Sequence, residues 1–290
     1  MSPIAQACHP EQAERAKEPA LRSASDVGIA LHPGLLQLKT AELPWRDSDP
    51  FVAARLRMTG GVAARELMRL HVEALFTHDA DGRMLQVNEP GGKNAPRFFI
   101  GQTADGAVMR FRHDVNDETK RALEAAANND AVHALGSPAS STRYEELLAR
   151  VAPVSSVWTG PAFSFPNRLA QPADTVLVTD ANSHLLTALL EPWIPDTRTG
   201  QPLFAVVVDG HAVSVCCTVR RTPYAHEAGV ETVPAFRGRG YAARAVASWA
   251  NAVRDMGQVP LYSTSWQNEA SRAVARKLGL IQFGNDLHIT

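Results

Sequence analysis

VETVPAFRGRGYAARAVASWA, residues 230–250, runs from a β-like segment through an Arg-Gly-Arg-Gly turn into a helix-like one. A strand that passes through such a turn into a helix aims several unpaired backbone amides at one spot. The first N–H groups of a helix have no intrahelical partner, and the helix dipole adds partial positive charge there. Gly238 and Gly240 remove the Cβ atoms that would hold an anion away from the backbone, and Arg237 and Arg239 add cationic forks suited to phosphate oxygens. Together these features make a pyrophosphate cradle. On the loop alone, a Gly-containing turn with two solvated arginines reads the same residues equally well.

Two nucleotide-binding alternatives fail on context. A Gly-x-Gly-x-x-Gly dinucleotide loop tolerates Ala243 at its third position but should follow the first strand of a doubly wound fold, and too little chain follows here. A phosphate-binding Walker loop needs a Gly-Lys-Ser/Thr ending, which is absent.

The 290 residues allow one large domain or two of ordinary size. A hydrophobic content of 45% with 20% charged residues makes a packed core feasible. A formal net charge of −1 leaves no global field to recruit nucleic acid or an anionic membrane. Cys8, Cys216 and Cys217 show no metal-ligand spacing, and adjacent strand cysteines point to opposite faces, so reduced thiols and no metal are expected. No secretory signal and no bilayer-length apolar run is visible, so the expectation is a soluble cytoplasmic protein without a membrane partner.

Along the chain, residues 1–30 are polar and aperiodic, the pattern of a disordered tail. A helical pattern spans 51–76, with Leu67, Leu70 and Leu75 on its apolar side. RFFIGQT-ADG-AVMRFRHDV predicts a β-hairpin, NDETKRALEAAA a helix capped by Asn116 or Asp117, RYEELLARV another helix, and SSVWTGPAFSF a strand. The polar stretch 167–174 is the expected domain boundary, separating an N-terminal α+β domain at 31–166 from residues 167–290. Beyond it come the strand TVLVTD, a helical piece at HLLTALL and the proline-rich EPWIPDTRTGQP. The hairpin LFAVVV-DG-HAVSVCCTV and the strand AGVETV follow, then a helix from Tyr241 to about 256, the strand PLYSTSW and a helix over 268–278. FGNDLHIT reads as an edge strand. The order predicts an α+β fold, a mixed and mostly antiparallel sheet with flanking helices.

Two motifs carry a family resemblance. VPAFRGRGYAARAVASWA resembles the Arg/Gln-x-x-Gly-x-Gly/Ala signature of the GNAT superfamily of acyl-CoA-dependent N-acyltransferases, with Arg237, Gly240 and Ala242 on the three positions. NEASRAVARKLGLIQFG resembles the second motif, through Asn268, Lys277, Leu278 and Gly279. The spacing suits one helix, one strand and one helix, and the resemblance covers roughly residues 174–290.

The resemblance implies acetyl-CoA as co-substrate, without a metal, and a small-molecule or protein amine as acceptor. It implies that GVETV and PLYSTSW are the family's fourth and fifth strands, which splay apart to admit the pantetheine arm. Thr232 and Val233 would bond that arm, the amides of Gly238, Arg239, Gly240, Tyr241 and Ala242 would hold the pyrophosphate with Arg237, and Asn268 and Ser271 would line the slot. Glu231 is the first candidate for the base that takes the amine's proton, and Glu227 the second; His226 is a further option. A backbone N–H of the splayed strand would stabilise the developing oxyanion.

The family frequently places a Tyr acid seven residues after the Asn; here that residue is Ala275. The departure keeps a second reading open, a non-catalytic acyl-CoA-binding sensor or regulatory protein. Trp193, in the segment where the family binds acceptors, is the candidate for substrate contact. Residues 31–166 either complete the acceptor site or form a degenerate second copy of the same fold. His71, His78 and His113 show no ligand spacing and read as surface or core histidines, and Trp249 as core.

Overall fold

The computed structural model describes residues 63–129, 135–166 and 168–290. The expected tail, Cys8 and the first half of the 51–76 helix lie outside the described residues.

A nine-stranded sheet organises the fold, in the order β4-β3-β11-β5-β10-β9-β8-β7-β6. The strands are β3 (Phe98–Thr103), β4 (Gly106–Phe111), β5 (Val157–Ser164), β6 (Thr175–Leu177), β7 (Leu203–Val208), β8 (His211–Arg221), β9 (Ala225–Thr232), β10 (Val259–Ser263) and β11 (Ile281–Ile289). Only the β9–β10 pair is parallel. The short strands β1 (Phe76–His78) and β2 (Met84–Val87) form a separate antiparallel ribbon. The fold is therefore α+β with a mostly antiparallel sheet, as the sequence predicts.

Local chemistry explains the elements. The β7–β8 hairpin turns on Asp209 and Gly210, both at positive φ, which matches the twist of the flanking strands. Helix α2 (Asp117–Asn129) is capped by Asn116, whose Oδ1 accepts from the Thr119 amide at 2.8 Å. Helix α3 (Thr142–Ala149) follows, and 3-10 turns span Asp180–Leu185 and Ala188–Arg198, where Pro192 and Pro195 remove amide donors.

The predicted edge strand at the C-terminus is corrected. β11 is central, paired with β3 through Asp286↔Gly101 and with β5 through Asp286↔Gly160. Its residues from Phe283 to Ile289 are buried, the pattern of a strand covered on both faces rather than an edge. The sheet thus passes unbroken across the expected boundary at 167–174.

Helix α1 (Ala64–Leu75) lies on one face of the sheet. Its Met68 fills the space that side chains at Gly101 of β3 and Gly284 of β11 would occupy, and this close approach fixes where the helix docks. Helices α2, α3 and α4 (Tyr241–Asp255) pack on the opposite face, as does α5 (Glu269–Lys277). Trp249 of α4 is fully buried there, as expected.

Candidate active site

The ladder between β9 and β10 contains three pairs, Val259↔Ala225, Pro260↔His226 and Leu261↔Glu227. Past Glu227 the two strands part. β9 stays with β8 as far as Ser214↔Thr232, while β10 follows β5 through Ser263↔Ala162 and the Thr264 amide bonds the Pro161 carbonyl. A gap therefore opens between Ala228–Thr232 on one side and 262–264 on the other, with its apex at Glu227.

The glycine turn stands at the opposite end of β9. Gly238 and Gly240 have φ of 76° and 80°, left-handed values that disfavour any other residue, and no side chain caps the N-terminus of α4. A Cβ on Gly240 would collide with Lys277 Nζ, so the last turn of α5 brings a third cation beside Arg237 and Arg239. Arg239 lies over the Phe236 ring, and Tyr241 packs against Phe236 with the Arg244 guanidinium 4.5 Å from its ring centroid. Uncapped amides, two glycines and neighbouring cations suit a nucleotide diphosphate.

Thr232 ends β9 and Val233 follows it into the turn. Thr232 Oγ1 meets Ser214 Oγ at 2.7 Å, its carbonyl accepts from Arg237 Nε, and the Val233 amide is bonded to Val213. Asn268 and Ser271 meet as cap and capped residue: Asn268 Oδ1 accepts from the Ser271 amide at 3.0 Å, and both are buried. Ser271 Oγ lies 2.5 Å from the hydroxyl of Tyr262, which shares an apolar cluster with Ala275. The aromatic ring near the position of Ala275 thus comes from β10 instead of α5.

The two candidate carboxylates occupy one face of β9. Glu227, Gly229 and Glu231 alternate with Ala228 and Val230, which face α4. Trp193 reaches across to this face, packs over Gly229, and donates its indole N–H to Glu231 Oε2 at 2.7 Å. Burial pushes the Glu231 carboxyl up, and the Trp193 N–H and Arg237 charge hold that rise back. His226 is on the other face, fully buried, with Nδ1 3.0 Å from Thr218 Oγ1. Burial and Arg221 pull it down to about 4, and its place on the face turned away from Glu227 and Glu231 removes it as a base beside them.

Glu227 is almost wholly buried. His71 Nδ1 lies 2.6 Å from its Oε1, Ser263 Oγ lies 3.4 Å from its Oε2, and His71 Nε2 lies 2.8 Å from Asp286 Oδ2. Burial pulls His71 down, but the charges and hydrogen bonds of Glu227 and Asp286 outweigh it, and the imidazole is raised to about 10. The trio is not legible in the sequence, because Glu227 and Asp286 stand 156 and 215 residues from His71. The one signal was a histidine within the apolar stripe of α1. Among the described residues, no group of three or more His, Cys, Asp or Glu is arranged to hold a metal ion.

Residues 203–285 match the family model for GNAT acetyltransferases. The segment is a GNAT acetyltransferase domain. It contains the parting strands, the glycine turn, α5 and both candidate carboxylates. Among solved structures, the chain is similar to a GNAT-family protein of Novosphingobium aromaticivorans at 21% identity and a TM-score of 0.40, covering 47% of this chain and 65% of the other. The chain thus spans just under two thirds of that protein's length. It is also similar to a GCN5-related N-acetyltransferase-like protein from Streptococcus suis (14% identity, TM-score 0.42, 78% and 98% covered) and to a GCN5-related N-acetyltransferase from Kribbella flavida (16%, 0.42, 80% and 96%). No curated protein matches the sequence.

Proposed function

We propose that this protein transfers an acetyl group from acetyl-CoA to an amine acceptor, by direct attack while both are bound. The carrying observation is the gap that opens at Glu227, with an anion cradle at its far end and two carboxylates on one side. Amides of Gly238–Ala242 hold the diphosphate, with Arg237, Arg239 and Lys277 as counter-charges. Thr232 and Val233 border the arm, while Asn268 and Ser271 fix the start of α5 beside it. When bound, acetyl-CoA supplies a thioester carbonyl open to a neutral amine and a thiolate that leaves easily, since a thiol pKa is about 8.5.

The chain's own residues handle protons. An amine arrives as an ammonium ion, so two protons must leave nitrogen before an amide is formed. Glu231 stands toward the wide end of the gap, half-exposed, and its raised carboxyl suits it to take the first. Glu227 stands at the apex, where Oε2 takes the second. Trp193 orients Glu231 and gives the acceptor an apolar wall. An unpaired β9 amide along Ala228–Thr232 supplies the oxyanion donor, a contribution of about 2.7–4 kcal/mol in comparable sites.

Ala275, buried where the family frequently has an acid, supports a second reading as a non-catalytic acyl-CoA sensor. Calorimetry with acetyl-CoA, followed by thiol release against a panel of small amines and amino-terminal peptides, separates the two. Binding with acceptor-dependent thiol release supports the transferase. Tight binding without release on any acceptor supports the sensor, and absent binding defeats both.

A further inference from the structure

Helix α1 lies before the family-matched segment, yet it sends one side chain to the apex of the gap. His71 has no exposed surface, and each of its ring nitrogens ends on a buried carboxylate, Glu227 Oε1 at 2.6 Å and Asp286 Oδ2 at 2.8 Å. Ionised carboxylates only accept hydrogen bonds, so satisfying both takes a ring with hydrogen on both nitrogens. Met68, seated over Gly101 of β3 and Gly284 of β11, docks α1 on this part of the sheet, and the His71 contacts then join α1 to β9 and β11.

Resting on the reading that Glu227 receives a proton from the reacting amine, we propose that His71 is the positioning residue of that base and that Asp286 holds His71 in place. The imidazolium occupies Oε1, which leaves Oε2 directed to Ser263 and the gap. A carboxylate in so dry a place keeps its charge only beside a cation, and His71 is the cation in contact with it. Other charged groups around the trio have partners of their own. Arg220, opposite Glu227 on β8, is paired with Glu89, and Arg110 on β4 lies 3.8 Å from Glu73. His288 Nε2 is 3.9 Å from Asp286, while β3 contributes Phe99 and β10 contributes Ser263.

A merely structural clamp and a positioning residue differ in what their loss changes. His71→Asn retains a donor near the Nδ1 position but carries no charge, and Asp286→Asn keeps shape and an acceptor for Nε2–H while removing the charge that holds the imidazolium. Both variants should bind acetyl-CoA within about twofold of wild type and lose kcat/KM by about tenfold or more. In His71→Asn the acid limb of the pH–rate profile should move to higher pH. Nitrogen-15 spectra of histidine-labelled wild-type protein provide a readout that needs no variant: His71 should stay doubly protonated at pH 8.5, where exposed histidines are neutral. A His71 that loses its proton below pH 7 overturns the proposal, as do folded variants with wild-type rate and limb. A wild-type protein that binds acetyl-CoA but acetylates no amine defeats the transferase reading itself, and this inference with it.

Discussion

Trp193 and Glu231 are joined by a 2.7 Å hydrogen bond from indole N–H to carboxylate, linking the 3-10 segment over the sheet to the strand that borders the gap. The bond connects the aromatic expected to touch the acceptor with the carboxylate expected to act as base. It also makes the acidity of Glu231 depend on Trp193.

Trp193→Phe keeps the ring and removes the donor. The N–H favours the ionised carboxylate, so its loss adds to the upward push of burial. A larger share of Glu231 is then protonated at a given pH, and the acid limb of kcat/KM should move to higher pH. The stability cost should be about 1 kcal/mol, since the carboxylate is partly solvated. A limb that stays in place or moves down contradicts the assignment.

Gly240→Glu puts a side chain and a negative charge into the anion cradle. The left-handed φ of 80° adds strain of about 1–2 kcal/mol, but α4 retains its packed face. The variant should keep its circular dichroism and lose acetyl-CoA binding in calorimetry. Undiminished affinity contradicts the placement of the diphosphate.

Asn268→Ala removes the cap of α5 and leaves the Ser271 amide without its acceptor. The expected loss is about 1 kcal/mol, a fall of roughly 2–4 °C in Tm for a chain of this size. Acetyl-CoA affinity should weaken as well, because Lys277 sits at the other end of the same helix.

The His71 trio makes stability depend on pH with a definite sign. The imidazole is raised from 6.5 to about 10 by folding, so the folded state holds a proton that the unfolded state gives up in between. Its stabilisation is complete below pH 6.5 and lost as the pH rises through about 10. The difference in urea midpoint between wild type and His71→Asn should therefore be larger at pH 6 than at pH 10.

Truncation after Leu280 removes β11 and leaves β3 and β5 without their shared neighbour. An edge strand could be lost with limited damage, but a central one cannot. The shortened chain should fail to give a cooperative thermal transition.

Local chemistry made much of this protein legible from sequence. The Asp-Gly hairpin, the cap at Asn116, the glycine turn and the helix behind it are all written in neighbouring residues, because turns and caps are satisfied within a few positions. The same locality made the glycine turn readable as a candidate anion cradle, since its glycines and arginines are consecutive. Tertiary structure decided the rest: that β11 inserts between β3 and β5, that Glu227 and Glu231 share a face while His226 is turned away, and that a histidine from α1 completes a charged trio with Asp286. These depend on pairings between segments far apart in the chain, where register and docking are set by the fit of Met68 over two glycines and by the burial of three charges together.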